Sequence, residues 1–317
     1  MQRFREITPG VLVATSQLLS CTSTAVLADD GGCLVIDPAV SVADLAALAA
    51  DLDGAGLRPR TGFATHPHWD HVLWSRDLGD VPRYAAPRAV AAAEAEREAM
   101  VSEAQGTAPG HDLDLFGRLV PLPAGAEHIP WDGPAAQVIV HDGHAPGHGA
   151  VFIPDAGVLV AGDMLSDIEI PILDTLAEDP LGDYRAGLRR LAAVPGVRWV
   201  IPGHGHIADA GEFRRRLDAD AHYLDLLSAG EPFDDPRCTV KWQRDWHEHQ
   251  LQECRPASRR TATTPRPFSL VRNSRPGIPP GATPGSRTRQ TRYTGQRSPW
   301  CRTTSRPTIP GRPPAPS

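Results

Sequence analysis

The sequence predicts an α/β chain of the α+β kind, a four-layer αββα sandwich of two mixed β-sheets packed face to face and flanked by helices. Two observations predict it. Short apolar runs bounded by Gly, Pro and Asp give way to stretches with helical spacing, and this order occurs twice without a visible internal repeat. With 41% hydrophobic residues in 317, the chain can also build a sizeable core.

In chain order, residues 11–19 and 22–28 read as strands, Asp29-Asp30-Gly31-Gly32 as a hairpin turn, and residues 33–36 as a strand ending at Asp37-Pro38. Apolar spacing becomes helical over 42–55 and stops near Gly56. Residues 61–65 form a short buried strand, and a helix is expected to open within 70–78. "PRYAA" is a strand, and 87–105 is an Ala/Glu-rich helix led by Pro87. Residues 106–135, rich in Gly, Pro and Asp, read as a loop or lid. Strands return at 137–141, 150–153 and 158–161, followed by a helix at 183–193, a strand at 197–201 and an amphipathic helix at 209–228.

Charge divides the chain. All 38 acidic residues lie at or before Glu253, whereas 13 of the 32 Lys and Arg lie at or after Arg255, so residues 1–254 carry a formal −19 and the remainder +13. The acidic part is read as the folded domain, and its surface repels nucleic-acid phosphates. Residues 255–317, rich in Arg, Pro, Thr and Ser, lack a hydrophobic period and are expected to be disordered, as a genuine tail or as the product of a reading-frame shift near codon 254. Five scattered cysteines without CxxC spacing indicate free thiols and a cytoplasmic location. Glu6, Pro9-Gly10 and the polar Thr15, Ser16 and Gln17 break any leader-like pattern after Arg3 and Arg5. No stretch approaches the roughly 20 apolar residues of a membrane span.

The chemistry concentrates in "ATHPHWDHVLW". His66 and His68, two residues apart in an extended segment, point to one side. Asp70 and His71 follow as the chain turns and can face the same cavity from another angle. Four ligand-type residues in six positions at a strand end indicate a metal centre. Partners are expected at other strand ends: His144 and His148 in "HAPGHG", Asp163 in "LVAGDM", and His204 and His206 in "IPGHGH". Two divalent ions about 3.5–4 Å apart could share a water, lower its pKa and present it as hydroxide to a carbonyl or phosphoryl centre. Asp70 could also accept or relay a proton. Nitrogen and carboxylate donors suit zinc and also admit iron or manganese.

The set "HPHWDH", "APGHG", "AGDM" and "IPGHG", in this order over about residues 8–230, resembles the metallo-β-lactamase superfamily. The resemblance implies a first metal held by His66, His68 and His148, a second held by Asp70, His71 and His204, and Asp163 bridging both. His144 and His206 then become substrate-facing or supporting groups, and His111, His128 and His141 solvent or structural histidines. The lactamases of this superfamily carry Cys or Ser where this chain has Asp163, so the pattern looks more like hydrolases of ester, thioester or lactone substrates. Hydroxyacylglutathione hydrolases resemble it through "THPHWDH", but their glutathione-binding pattern after the last PGH is missing. Acyl-homoserine lactonases share the ligand set, but this chain has Ser166 where they place a Tyr. A phosphodiesterase and a mononuclear-iron persulfide dioxygenase are the alternatives. Trp69, Trp74, Phe116, Ile129 and Trp131 could wall the site for a small apolar substrate.

Overall fold

The structure is a computed structural model that describes residues 3–231 and 235–254. The disorder expected of residues 255–317 lies outside the described residues. The first sheet has seven strands in chain order: β1 (Arg5–Thr8), β2 (Val11–Thr15), β3 (Thr22–Leu27), β4 (Gly32–Ile36), β5 (Arg58–Phe63), β6 (Arg83–Ala85) and β7 (Val120–Pro121). The second has five: β8 (Gln137–His141), β9 (His148–Ile153), β10 (Val158–Gly162), β11 (Trp199–Pro202) and β12 (Ala208–Asp209), in the order β12-β11-β10-β9-β8. Both are mixed. Hairpins make β1 to β4 antiparallel, while crossovers make β4, β5, β6 and β7 parallel; in the second sheet only β10 and β11 run parallel.

Side-chain alternation along the strands fills three separate layers. Cys33 and Val35 of β4 pack with Leu45, Leu48 and Leu52 of α1 (Val42–Gly54), Val90 of α2 (Pro87–Ala95) and Met100 of α3 (Arg97–Thr107). Leu34 and Ile36 turn the other way, onto Val151, Val158, Val160 and Ile201 of the second sheet. On the far face, Leu159 and Val200 meet Leu188 and Leu191 of α4 (Pro180–Ala192) and Phe213, Leu224 and Leu227 of α5 (Ala210–Ala229). This is the predicted αββα sandwich. The helix starts follow local chemistry: the side chains of Ser41, Asp179 and Asp209 accept backbone N–H bonds that open α1, α4 and α5.

Several elements differ from the sequence expectation. Residues 70–78 do not form a helix; only a 3₁₀ turn occurs, at Arg76–Leu78. Val72, Leu73 and Trp74 are all buried side by side, so no solvent-facing stripe exists to support a helix there. The single helix expected over 87–105 breaks at Glu96 into α2 and α3. A further helix, α6 (Lys241–Glu253), ends the described chain. Gln250 on α6 anchors it: its amide donates to the Pro171 carbonyl and the Tyr223 hydroxyl, and its carbonyl accepts from Leu173 N at 2.7 Å. Among the described residues no helix is long and apolar enough to cross a membrane.

Candidate metal centre

Strand direction collects the site. The parallel pair β4–β5 ends in register at Ile36 and Phe63, and the parallel pair β10–β11 ends at Gly162 and Pro202. The residues just past these C-terminal ends are Asp37, Thr65 and His66 from one sheet, and Asp163 and His204 from the other. Ligand sites favour such ends in mixed and parallel sheets. Two backbone bonds join the sheets there, Gly149 N to Thr65 O at 2.7 Å and Thr22 N to Gly203 O at 2.8 Å.

Two groups of donors share Asp163. Its Oδ2 lies 3.7 Å from His66 Nε2 and 3.6 Å from His144 Nε2, and His144 Nε2 lies 3.1 Å from His68 Nδ1. Its Oδ1 lies 3.2 Å from both His71 Nε2 and His204 Nε2. Asp70 Oδ2 faces the second group, 3.3 Å from His204 Nε2 and 3.8 Å from His71 Nε2. His66, His68, His144 and Asp163 thus form one group with metal-binding spacing, and His71, Asp163 and His204 another. Glycine at 203 is required, because a Cβ there would collide with the Asp163 carboxylate.

The surrounding bonds present the ligand face of each ring. Asp37, held in a left-handed conformation (φ 48°), accepts from Thr65 N at 2.8 Å, from Thr65 Oγ1 at 2.6 Å and from His71 Nδ1 at 3.0 Å. Thr65 Oγ1 in turn accepts from His66 Nδ1 at 3.0 Å. His144 Nδ1 donates to the Ile172 carbonyl and His204 Nδ1 to the Leu19 carbonyl, both at 2.8 Å. This network turns the Nε2 atoms of His66, His71, His144 and His204 toward Asp163. One carboxylate, Asp37, therefore orients an imidazole in each half of the site. The sequence reading treated it only as the end of a strand.

The electrostatics ask for a cation. His71 Nε2 and His204 Nε2 face each other at 3.2 Å, which needs a positive charge between them. Burial opposes charge on His71, yet Asp163, Asp70 and Asp37 hold it well above its usual value. Burial likewise opposes ionisation of Asp163, but His204, His71 and His66 hold it well below the usual carboxylate range. His66, with burial as the main cause, is pushed well below its ordinary value, and its fully buried Nε2 has no hydrogen-bond partner. A divalent ion satisfies all of these groups at once.

The remaining predicted residues fall as follows. His148 is fully buried, stacked between His66 (centroids 5.2 Å) and His141 (4.5 Å), and it lies outside the two donor groups, where His144 is the nearer imidazole. His206 points outward with 76% of its side chain exposed, bonded to Asp167 at 2.8 Å, so it does not line the cluster. Trp74, only 3% exposed, packs in the layer under α1 to α3 against Gly62, with its Nε1 bonded to Gly79 O. Trp69 and Phe116 join the same layer, while Ile129 and Trp131 pack between the sheets, so these aromatics do not assemble a wall over the site. His111 bonds to the Val40 carbonyl, His128 is exposed, and His141 is buried behind His148.

Residues 18–204 match the family model described as the metallo-beta-lactamase superfamily. The chain belongs to the metallo-β-lactamase superfamily. Within it, the chain is 33% identical over 154 residues to a hydroxyacylglutathione hydrolase of Rhodobacter capsulatus, covering 49% of this chain and 51% of that protein. It therefore spans about half the length of that relative. It is 26% identical over 211 residues to an uncharacterized protein of Mycobacterium leprae, covering 62% of this chain and 92% of the other. Among solved structures, a metallo-beta-lactamase family protein from Thermus thermophilus superposes with a TM-score of 0.54 at 24% identity, over 71% of this chain and 82% of its own. That likeness supports the sandwich fold.

Replacing Asp37 by Asn tests its place in both half-sites. Metal affinity should fall about 10–100-fold, the usual cost of losing a group that orients a metal-binding histidine. Chelator competition measures this, and unchanged affinity would remove Asp37 from the site.

Proposed function

We propose that this chain is a binuclear-metal-dependent hydrolase acting on an ester, thioester or lactone bond of a small molecule, with zinc as the ion its donors suit best. The observation that carries the reading is the placement of Asp163, one carboxylate oxygen facing each donor group. Ions bound there supply Lewis acidity and an activated water. His66 and His68 with the His144–His148 turn would hold the first, Asp70, His71 and His204 the second, and Asp163 both. Asp70 is also the carboxylate placed to take up a proton.

The substrate reading rests on access and charge. His68 and Asp163 are the members of the first group that are not fully buried, so a substrate reaches the cluster on their side. The formal −19 of residues 1–254 disfavours polyanionic substrates. A thioester gains weight from the relatives named hydroxyacylglutathione hydrolase.

The test combines elemental analysis with a panel of ester, thioester, lactone and phosphodiester substrates. About two zinc-class ions per chain, and acyl hydrolysis that chelators abolish and zinc restores, are expected. A single iron with thiol-dependent oxygen uptake would replace this reading with a dioxygenase. His144→Ala and His148→Ala, compared for metal content, show which imidazole completes the first group.

A further inference from the structure

Between β10 and α4 the chain runs from Asp163 to Asp179 without a strand or a helix, although Ile170, Ile172 and Leu173 are buried. Buried peptide groups outside a ladder need other partners, and here α6 supplies them. Gln243 donates to the Ile168 carbonyl at 2.8 Å. Gln250, fully buried, makes a more specific grip. Its Oε1 accepts from Leu173 N at 2.7 Å, and its Nε2 donates to the Pro171 carbonyl at 3.1 Å and to the Tyr223 hydroxyl at 2.6 Å. A donor to be met on one side and acceptors on the other leave the amide a single orientation.

The amide treats residues 171–173 as a neighbouring strand would, bonding a carbonyl and the N–H two residues later along one edge. The carbonyl between them, that of Ile172, is turned to the opposite edge, where it accepts from His144 Nδ1 at 2.8 Å. A proton held on Nδ1 leaves the Nε2 lone pair as the ligand atom. That atom lies 3.1 Å from His68 Nδ1 and 3.6 Å from Asp163 Oδ2. His148 offers the contrast: both of its buried ring nitrogens lack a hydrogen-bond partner among the described residues, so no bond fixes its tautomer. The second donor group is oriented from elsewhere, His71 by Asp37 and His204 by the Leu19 carbonyl.

We propose that Gln250 is a positioning residue for the first donor group. Through the Ile172 carbonyl it fixes the tautomer and direction of His144, and so sets the affinity of the ion that His66, His68, His144 and Asp163 hold, while the second ion is independent of α6. This rests on the metal-centre reading above.

Chelator competition with Zn²⁺ on the full-length protein tests it. Q250A should weaken one of the bound ions about 10–100-fold, the usual cost of losing a group that orients a metal-binding histidine, and leave the other unchanged. H144A should weaken the same ion, and adding Q250A to H144A should weaken it little further, because the two residues act in one line. Q243A loosens the same helix without touching residues 171–173 and should leave both ions as in wild type, which separates positioning from a general loosening of α6. Should Q250A fail to fold, hydrogen exchange on wild type decides. By linkage, an ion that the clamp favours must favour the clamp, so zinc should slow exchange of the Leu173 amide more than that of the α5 amides. Unaltered affinities or equal losses at both ions in Q250A, losses in Q243A as large, additive losses in the double variant, or equal slowing of Leu173 and α5 each overturn the role of Gln250 and leave the metal centre standing. Failure of wild type to take up any ion overturns both.

Discussion

Asp163→Asn should lower kcat for the best panel substrate about 10³-fold, a loss of about 4 kcal/mol of transition-state stabilisation. The cause is geometric. Each oxygen of the wild-type carboxylate serves a different donor group, and an amide puts an N–H donor where one group needs a lone pair. Because His204, His71 and His66 keep the carboxyl well below its usual range against the cost of burial, wild type presents an anion to both groups. Asp163 belongs to none of the three apolar layers, so circular dichroism and thermal melting of the variant should stay close to wild type. A folded variant that keeps more than about a tenth of kcat with both ions bound would show that Asp163 does not bridge them.

Arg237→Ala should cost about 3–5 kcal/mol of stability, the price of leaving a buried carboxylate without its partner. Arg237 Nη1 bonds Asp220 Oδ1 at 2.5 Å, Asp220 is 1% exposed, and Asp235 grips the same guanidinium at 2.7 Å through Nη2. Burial pushes the Asp220 carboxyl up to about 6 even with Arg237 beside it. A carboxyl raised in this way favours folding below its unfolded value and loses that contribution as pH rises through its folded value. The variant's penalty should therefore be smaller at pH 5, where Asp220 can take a proton, than at pH 8. Urea unfolding at both pH values measures it, and a loss under about 1 kcal/mol at pH 8 would show that Asp220 does not depend on this partner. Arg237 also reaches the Ser166 carbonyl at 3.3 Å, so the same pair steadies the segment that follows Asp163.

The sandwich and most of the donor groups were legible because local pattern reports them. Apolar runs that stop at His or Asp are strands delivering polar side chains at their ends, and the two-residue spacing of His66 and His68 survives as neighbouring rings 4.6 Å apart. What escaped depends on contacts distant in sequence. Asp37 reads as an ordinary strand end until β5 is laid beside β4. β7 and β12 have two residues each, too few for an alternating pattern. The helix α6 has Gln243 and Gln250 as its buried residues, so no apolar stripe announces it. The placement of Trp74 was likewise hidden from local pattern: the glycine at 62 opens a slot that its ring fills from the helix side.

The anchorage of α6 sets an order of events during synthesis. The Gln250 side chain clamps Pro171 and Leu173, and the carbonyl between them, that of Ile172, is the one that orients His144. A nascent chain that has already paired every strand of both sheets still lacks this clamp until residue 250 has left the ribosome. Among the described helices α6 is the last to emerge, so the clamp on the segment that orients His144 closes only after every described strand has been made.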